Sequence, residues 1–473
     1  MSEIKTLTVN GRSYTVADPD AAHIDDTAVG EKAWSSRRIM EAIDTADSSA
    51  AIVCTARGQV VSVSDASDRP LRGLTLYGKT TQNGTPMPES PVPLESTGAG
   101  GSVAVNVYGK NLFYTNNYTQ KQNATVIEQT ENGATFRGNE GSNPGTRAWS
   151  NGWAMIDRTS ALRLSAGTVI TVSCDYTVLE KHSAISGNVD FFVDGISMNL
   201  SAFNVASAEI GRTYRISNTA TVQADGSYKR TNISLHSSKV RIENLQWAID
   251  TTAADFTPYT KQTLTVPTPN GLPGIPVESG GNYTDESGQQ WVCDEVDFAK
   301  GILVRRTAKL ELNGTESWST YYNKMLRTKL PAASKGAGQV NAATCSHYPT
   351  FEHFTNYNNR DNAGYIGCDV SGSYLDFVDN VNCNGNLAAF QSLLQEKYSN
   401  GNPITVVYAL AEPIETPLSA EELAQYSALH TNKPATTVLN DAGAGMALAY
   451  VADTKLYIDN KFNELAAAIV NNT

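Results

Sequence analysis

Four prolines within eight residues, Pro86, Pro88, Pro91 and Pro93, fix what the stretch from Gly73 to Phe113 can become. They follow a short apolar run, Leu74, Leu76 and Tyr77, and an Asn83-Gly84 turn signal. Proline lacks the amide that a ladder needs and biases its predecessor toward extended backbone, so this segment cannot be a helix or a central strand. It reads as a platform strand, a pinned extended loop and a second strand. Three hundred residues on, Thr405 to Ser419 repeats the pattern, an apolar strand running into proline-spaced chain. The chain is therefore expected to leave a platform, build other modules from Asn111 to Pro403, and return. Leu74 to Tyr77 and Val406 to Leu410 should then share a sheet or a domain core.

A chain of 473 residues is too long for one ordinary core and points to several domains. Few charges and abundant Gly, Thr, Ser, Asn and Tyr predict a mainly β, multidomain protein. The expected parts are a central jelly-roll β-sandwich, a second β-rich module and short helices, including an amphipathic C-terminal one. The net charge of -12, with no Lys/Arg cluster interleaved with aromatics, argues against nucleic acid as a partner. No apolar run of eighteen residues and no signal-peptide pattern occur, so neither membrane insertion nor secretion by a leader is expected. Six dispersed cysteines without CxxC pairs read as free, mostly buried thiols.

Taken in order, residues 1–57 hold a hairpin about Asn10-Gly11 and a helix over about Ser36 to Ala46. Residues 58–107 are the outgoing half of the platform. Residues 108–262 form the sandwich, with strand candidates at 123–137, 147–157, 167–178, 188–198, 212–224, 229–237 and 239–249. In GTVITVSCDYTV, Ile170, Val172, Cys174 and Tyr176 alternate with Val169, Thr171 and Ser173, which predicts one buried and one wet face. A Pro/Gly linker follows at 263–281 and a second β-rich module at 282–403. That module ends in a helix marked by Leu387, Phe390, Leu394 and Tyr398. The platform returns over 404–452, with a capping box at Ser419 and Glu422. In 453–473, Ile458, Phe462, Leu465 and Ile469 fall at a/d spacing behind an Asp453 cap. They suit either a self-association seam or a helix lying on its own domain.

LTLYGKTTQNGTPMPESPVPLES with VNVYGKNL, and VVYALAEPIETPLSAEELAQYSALHTNKPATTVLNDAGAGMALAYVADTKLYIDNKF, resemble structural tail or baseplate proteins of phages and prophages of Gram-positive gut bacteria. DDTAVGEKAWSSRRIMEAI carries the same likeness at the N-terminus, and VRIENLQWAIDTTAADFTPY resembles the closing strand of carbohydrate-binding jelly rolls found in such proteins. The resemblance implies a non-enzymatic virion subunit assembled in the host cytoplasm. It also implies attachment to other tail or baseplate proteins through the N-terminal unit, a homotrimer, and weak contact with host cell-surface glycan. A receptor-binding tip, a glycan-degrading tail enzyme and a bacterial adhesin are the competing readings.

Chemistry-bearing patterns are sparse. The six histidines lack an elbow or triad context, and His23, Asp25 and Asp26, or Cys345, His347 and His353, match no metal spacing, so no catalytic residue, metal or cofactor is assigned. Asp294, Glu295 and Asp297 read as surface charge of a hairpin. Sugar rings bind by stacking on Trp or Tyr while polar side chains take the hydroxyls. Trp149 and Trp153 flank an Asn-Gly turn with Arg147 and Asp157 near, and Tyr118, with Tyr114, is a weaker candidate for the same face. The alternative for Trp149 and Trp153 is capping of the sandwich core, which is also the reading for Trp247.

Overall fold

Strands drawn from both ends and the middle of the chain assemble two facing sheets. The computed structural model describes residues 6–9, 12–15, 52–139, 152–182, 187–194, 196–249, 255–321, 324–335, 343–350, 364–379 and 382–461. One sheet has seven strands in the order Ala343–Cys345, Ile404–Pro417, Ile302–Leu312, Glu295–Asp297, Gly73–Tyr77, Gly445–Val451 and Val53–Gly58. The other has four, Lys261–Thr268, Gly101–Tyr108, Thr436–Asn440 and Val60–Val63. Alternation builds the core between them. GSVAVNVY turns Val103, Val105 and Val107 inward against Leu264, Val266 and Val438, while Leu74, Leu76, Met446 and Leu448 face them from the larger sheet.

Gly73–Tyr77 and Ile404–Pro417 do share a sheet, with Glu295–Asp297 and Ile302–Leu312 between them. The single long insertion expected from Asn111 to Pro403 is not what is found. Two separate modules leave the platform, each between residues that face one another across a ladder: Tyr108 pairs with Lys261, and Leu312 with Ile404. The expected linker at 263–281 supplies strands too, Lys261–Thr268 and Gly274–Val277. Its Pro267 is tolerated because Lys261–Thr268 is the edge of its sheet.

The first insert is the jelly-roll sandwich. One sheet runs Ala124–Thr130, Gly133–Gly138, Ser238–Ala248, Val169–Lys181, Thr213–Thr221. The other runs Ile196–Asn204, Asn188–Val193, Gly226–Ser234, Trp153–Leu164, Lys121–Gln122. Ile170, Val172, Cys174, Tyr176 and Trp247 are fully buried between the sheets, as alternation requires. The opposite face of Val169–Lys181 is not wet: Thr171, Ser173 and Thr177 are 1–3% exposed. Cross-strand hydroxyl pairs, Thr171 with Thr219 (2.9 Å) and Thr177 with Thr213 (2.8 Å), and Arg215 donating to Ser173 (2.8 Å), cover it. The 123–137 candidate is two strands, folded back at Glu131-Asn132.

The second insert packs the sheet Ser319–Thr320, Leu326–Lys329, Tyr374–Val378, Tyr365–Cys368 against the helix Leu387–Ser399. Asn386 caps that helix by accepting from Ala389 N–H, and it ends at Asn400-Gly401, where Gly401 takes the left-handed φ of +72°. Phe390 and Leu394 are buried; Tyr398, expected on the same face, is exposed. Asp294, Glu295 and Asp297 are buried rather than on a hairpin surface, because their strand is central in the seven-stranded sheet.

At the ends, Val9 pairs with Arg12 in the expected N-terminal hairpin. The 36–46 helix and His23, Asp25 and Asp26 lie outside the described residues. The Ser419–Glu422 capping box is formed, and Asp453 caps the last helix by accepting from Leu456 N–H (3.1 Å). Ile458 is half-buried there; Phe462, Leu465 and Ile469 lie outside the described residues. All six cysteines are free thiols, five of them buried.

Candidate functional site

The strand Trp153–Leu164 alternates strictly over its first turn of the sheet. Ala154, Ile156 and Arg158 point into the sandwich, and Trp153, Met155 and Asp157 stand half-buried on the outer face. Pairing extends that face sideways. Met155 faces Asn232, which faces Phe192 in turn, so one row across three strands reads Phe192, Asn232, Met155. The Trp153 and Phe192 rings meet edge to face, with centroids 5.3 Å apart at 71°. Oδ1 of Asn232 is buried and has no hydrogen-bond partner among the described residues.

Asp157 lies one row further along. Arg230 grips it with two parallel bonds, Nε to Oδ1 at 2.6 Å and Nη2 to Oδ2 at 2.9 Å, and Nη2 also donates to Gln120 Oε1 at 2.7 Å. This pairing holds the Asp157 carboxyl below its usual range and raises the guanidinium of Arg230. Asp157 is therefore a fixed anion, unsuited to act as a general acid near neutral pH. The face offers two half-buried aromatic rings, a buried amide oxygen without a partner among the described residues, and a rigid carboxylate–guanidinium–amide row. That combination suits a hydroxylated ring that stacks with one face and hydrogen-bonds at its rim.

The sequence candidates divide three ways. Trp153 and Asp157 share this face. Trp149 and Arg147 lie outside the described residues. Tyr118 is not a ligand-facing residue: it is 7% exposed, belongs to the sandwich core, and burial pushes its hydroxyl up to about 12. The turn around it, where Thr119 N–H donates to Asn117 Oδ1 (3.0 Å), sends its ring inward. Tyr114 is exposed but stacks on Tyr259 (5.1 Å) beside the platform, and Trp247 is core, donating from Nε1 to Thr231 (2.8 Å). Phe192, Asn232, Arg230 and Gln120 were not singled out; they join the face only through cross-strand register.

Elsewhere, His347 is fully buried with Nδ1 on Ser346 Oγ (2.8 Å), and burial depresses its pKa to about 4. Cys345 neighbours it, while His353 lies outside the described residues. Among the described residues no group of three or more His, Cys, Asp or Glu is placed to hold a metal ion. No helix among them is long and apolar enough to cross a membrane.

No family model and no curated protein matches the chain. Among solved structures it is similar to the C-terminal CBM6 of LamC, a marine laminarinase from Zobellia galactanivorans, at 10% identity and a TM-score of 0.18, over 30% of this chain and 98% of that one. It is also similar to the tripod (BppUct-A-L) from the baseplate of bacteriophage Tuc2009, at 11% identity and a TM-score of 0.17, over 48% and 90%. The infectious bursal disease virus Gt strain structure follows at 8% identity and a TM-score of 0.13, over 82% and 66%. Scores of this size support no inference about function.

Proposed function

We propose that the chain is a non-enzymatic structural subunit of a phage-like tail or baseplate that holds a weak glycan-binding face on a rigid platform. The observation that carries this reading is the outer sheet face of the sandwich, where the half-buried Trp153 and Phe192 rings meet beside Asn232 and the Asp157–Arg230 pair. The sequence resemblance at both ends and the paired-strand mounting of the two inserts fit a scaffold that displays modules. A homotrimer joined through the last helix would place three weak sites at fixed spacing and gain affinity without new contacts.

The test is binding of the full chain to purified Gram-positive cell-wall polysaccharide. Trp153→Ala and Asn232→Ala should each weaken binding at least about tenfold, a loss of about 1.4 kcal/mol, with hydrogen-exchange protection of the sandwich strands unchanged. Unchanged binding by both refutes the face as a site. Light scattering should give about three times 50.8 kDa; a monomer at micromolar concentration refutes the trimer.

A further inference from the structure

The second module carries an aromatic stack that neither its core nor the sandwich face uses. In its four-stranded sheet the inward residues are Leu326, Leu375, Phe377 and Ile366, all in the module's core. Arg327 and Asp376 face each other on the outer side. Arg327 binds Asp376 through Nε (2.7 Å) and Nη2 (2.8 Å), and the Asp376 side chain is fully buried. The guanidinium carbon lies 3.6 Å from the Tyr321 ring centre and 4.6 Å from that of Tyr374, within cation–π range of both. Tyr321 is nevertheless 46% exposed.

This is an unusual use of a buried carboxylate. A tyrosine that serves packing is covered by its neighbours. Here a buried Asp376 fixes an arginine, and the arginine fixes a ring that stays nearly half exposed. A ring immobilised without being covered is pre-organised for stacking, because little side-chain freedom remains to be lost when a ligand arrives. The rim defines the ligand's charge. Arg327 and Lys329 are balanced on the same side by Asp376 and by Asp369, 3.8 Å from Arg327 Nη2. Nη1 is turned away from the Asp376 fork, and Gly367, opposite Asp376, adds no side chain to the floor.

We propose that the Tyr321–Arg327–Tyr374 stack is a second carbohydrate-contact site, which takes the apolar face of an uncharged pyranose on the open side of Tyr321 and a ring hydroxyl on Arg327 Nη1. The site is independent of the sandwich face, so the two stand or fall separately. A polyanion is disfavoured by the balanced rim, and a charged ligand would need one sign in excess.

The full chain carrying Trp153→Ala is titrated by calorimetry with neutral gluco-, galacto- and manno-hexasaccharides and with a single-stranded DNA 12-mer. At least one hexasaccharide should bind saturably. Adding Tyr321→Ala should weaken it about tenfold or more, and Tyr321→Phe, which keeps the ring and its stack, should stay within about twofold of the parent. Hydrogen exchange over 326–329 controls for folding, and Tyr321, at the surface, should leave it unchanged. The proposal is overturned if no hexasaccharide binds, if Tyr321→Ala binds as well as the parent, or if the DNA binds in their place. If only the sandwich reading fails, Trp153→Ala changes nothing in an otherwise native chain while Tyr321→Ala still acts.

Discussion

Asp294 sits fully buried just before Glu295–Asp297, the central strand of the seven-stranded sheet, and its pH response separates two opposing effects. Its Oδ1 accepts from Arg306 N–H (2.8 Å), Thr307 N–H (2.8 Å) and Thr307 Oγ (2.9 Å), at the bulge where Ile302–Leu312 slips register. Arg305 Nη1 lies 3.5 Å from Oδ2. These contacts favour the carboxylate, but burial penalises it more and pushes the group up from 3.8 to about 6. Because the native state then holds the proton more tightly than the unfolded chain, Asp294 contributes most below pH 4. That contribution falls away as pH rises from about 4 to about 6, by about 3 kcal/mol. Asp294→Asn keeps the acceptor and removes the titration. Hydrogen exchange over 302–312, corrected for intrinsic rates, should show the variant gaining on the parent across pH 4 to 6 and running parallel above it. A parent that gains on the variant over this window would mean that the three donors outweigh desolvation, and the reasoning would be wrong.

Another carboxylate behaves oppositely. Asp285 takes Ser287, Trp291 and Lys79 as partners and is held at about 2, so its contribution is present above pH 4 and is lost on acidification toward pH 2; Asp285→Asn should flatten that limb by about 2 kcal/mol in an acid titration of Trp291 fluorescence. Gly78→Ala would set a methyl 2.0 Å from the carbonyl oxygen of Leu272, a backbone atom that cannot swing aside; a loss of at least about 3 kcal/mol, or no soluble protein, is expected in thermal melts. Arg158 is 2% exposed and donates to the backbone carbonyls of Leu112 and Ser160. Arg158→Leu should strand both acceptors, at about 2–4 kcal/mol, and raise hydrogen exchange over 112–115 and 158–162 before the sandwich core.

Period-two patterns made most of the fold legible. Val103, Val105 and Val107, or Ile170 to Tyr176, state their buried face outright. What sequence cannot state is what a strand's edge or outer face meets. Thr265 to Gly281 looked like a linker because proline and glycine punctuate it, yet an edge strand tolerates Pro267, and Gly274 allows a close pass against Gly78, whose carbonyl oxygen lies 2.3 Å from where a Cβ would stand. Asp294, Glu295 and Asp297 looked like hairpin surface charge because the bulge that satisfies Asp294 comes from the following strand. At the sandwich face, Trp153 and Asp157 were found by type and spacing. Phe192 and Asn232 lie 39 and 79 positions beyond Trp153 and enter only through register. Tyr118 was misread because a local turn at Asn117, not its chemistry, sets its direction.

The mounting of the sandwich has a mechanical meaning. Both of its tethers leave the platform at one end of the same ladder, at Tyr108 and Lys261. A pull on the sandwich therefore loads Gly101–Tyr108 and Lys261–Thr268 at the same end and in the same direction, so the ladder between them is not prised open. Gly101–Tyr108 is held on its far side by Thr436–Asn440, in a ladder that the same pull loads along its length. Bonds loaded along a ladder share the force, so the paired exit couples the sandwich to the platform as one mechanical unit instead of leaving it on a loose stalk.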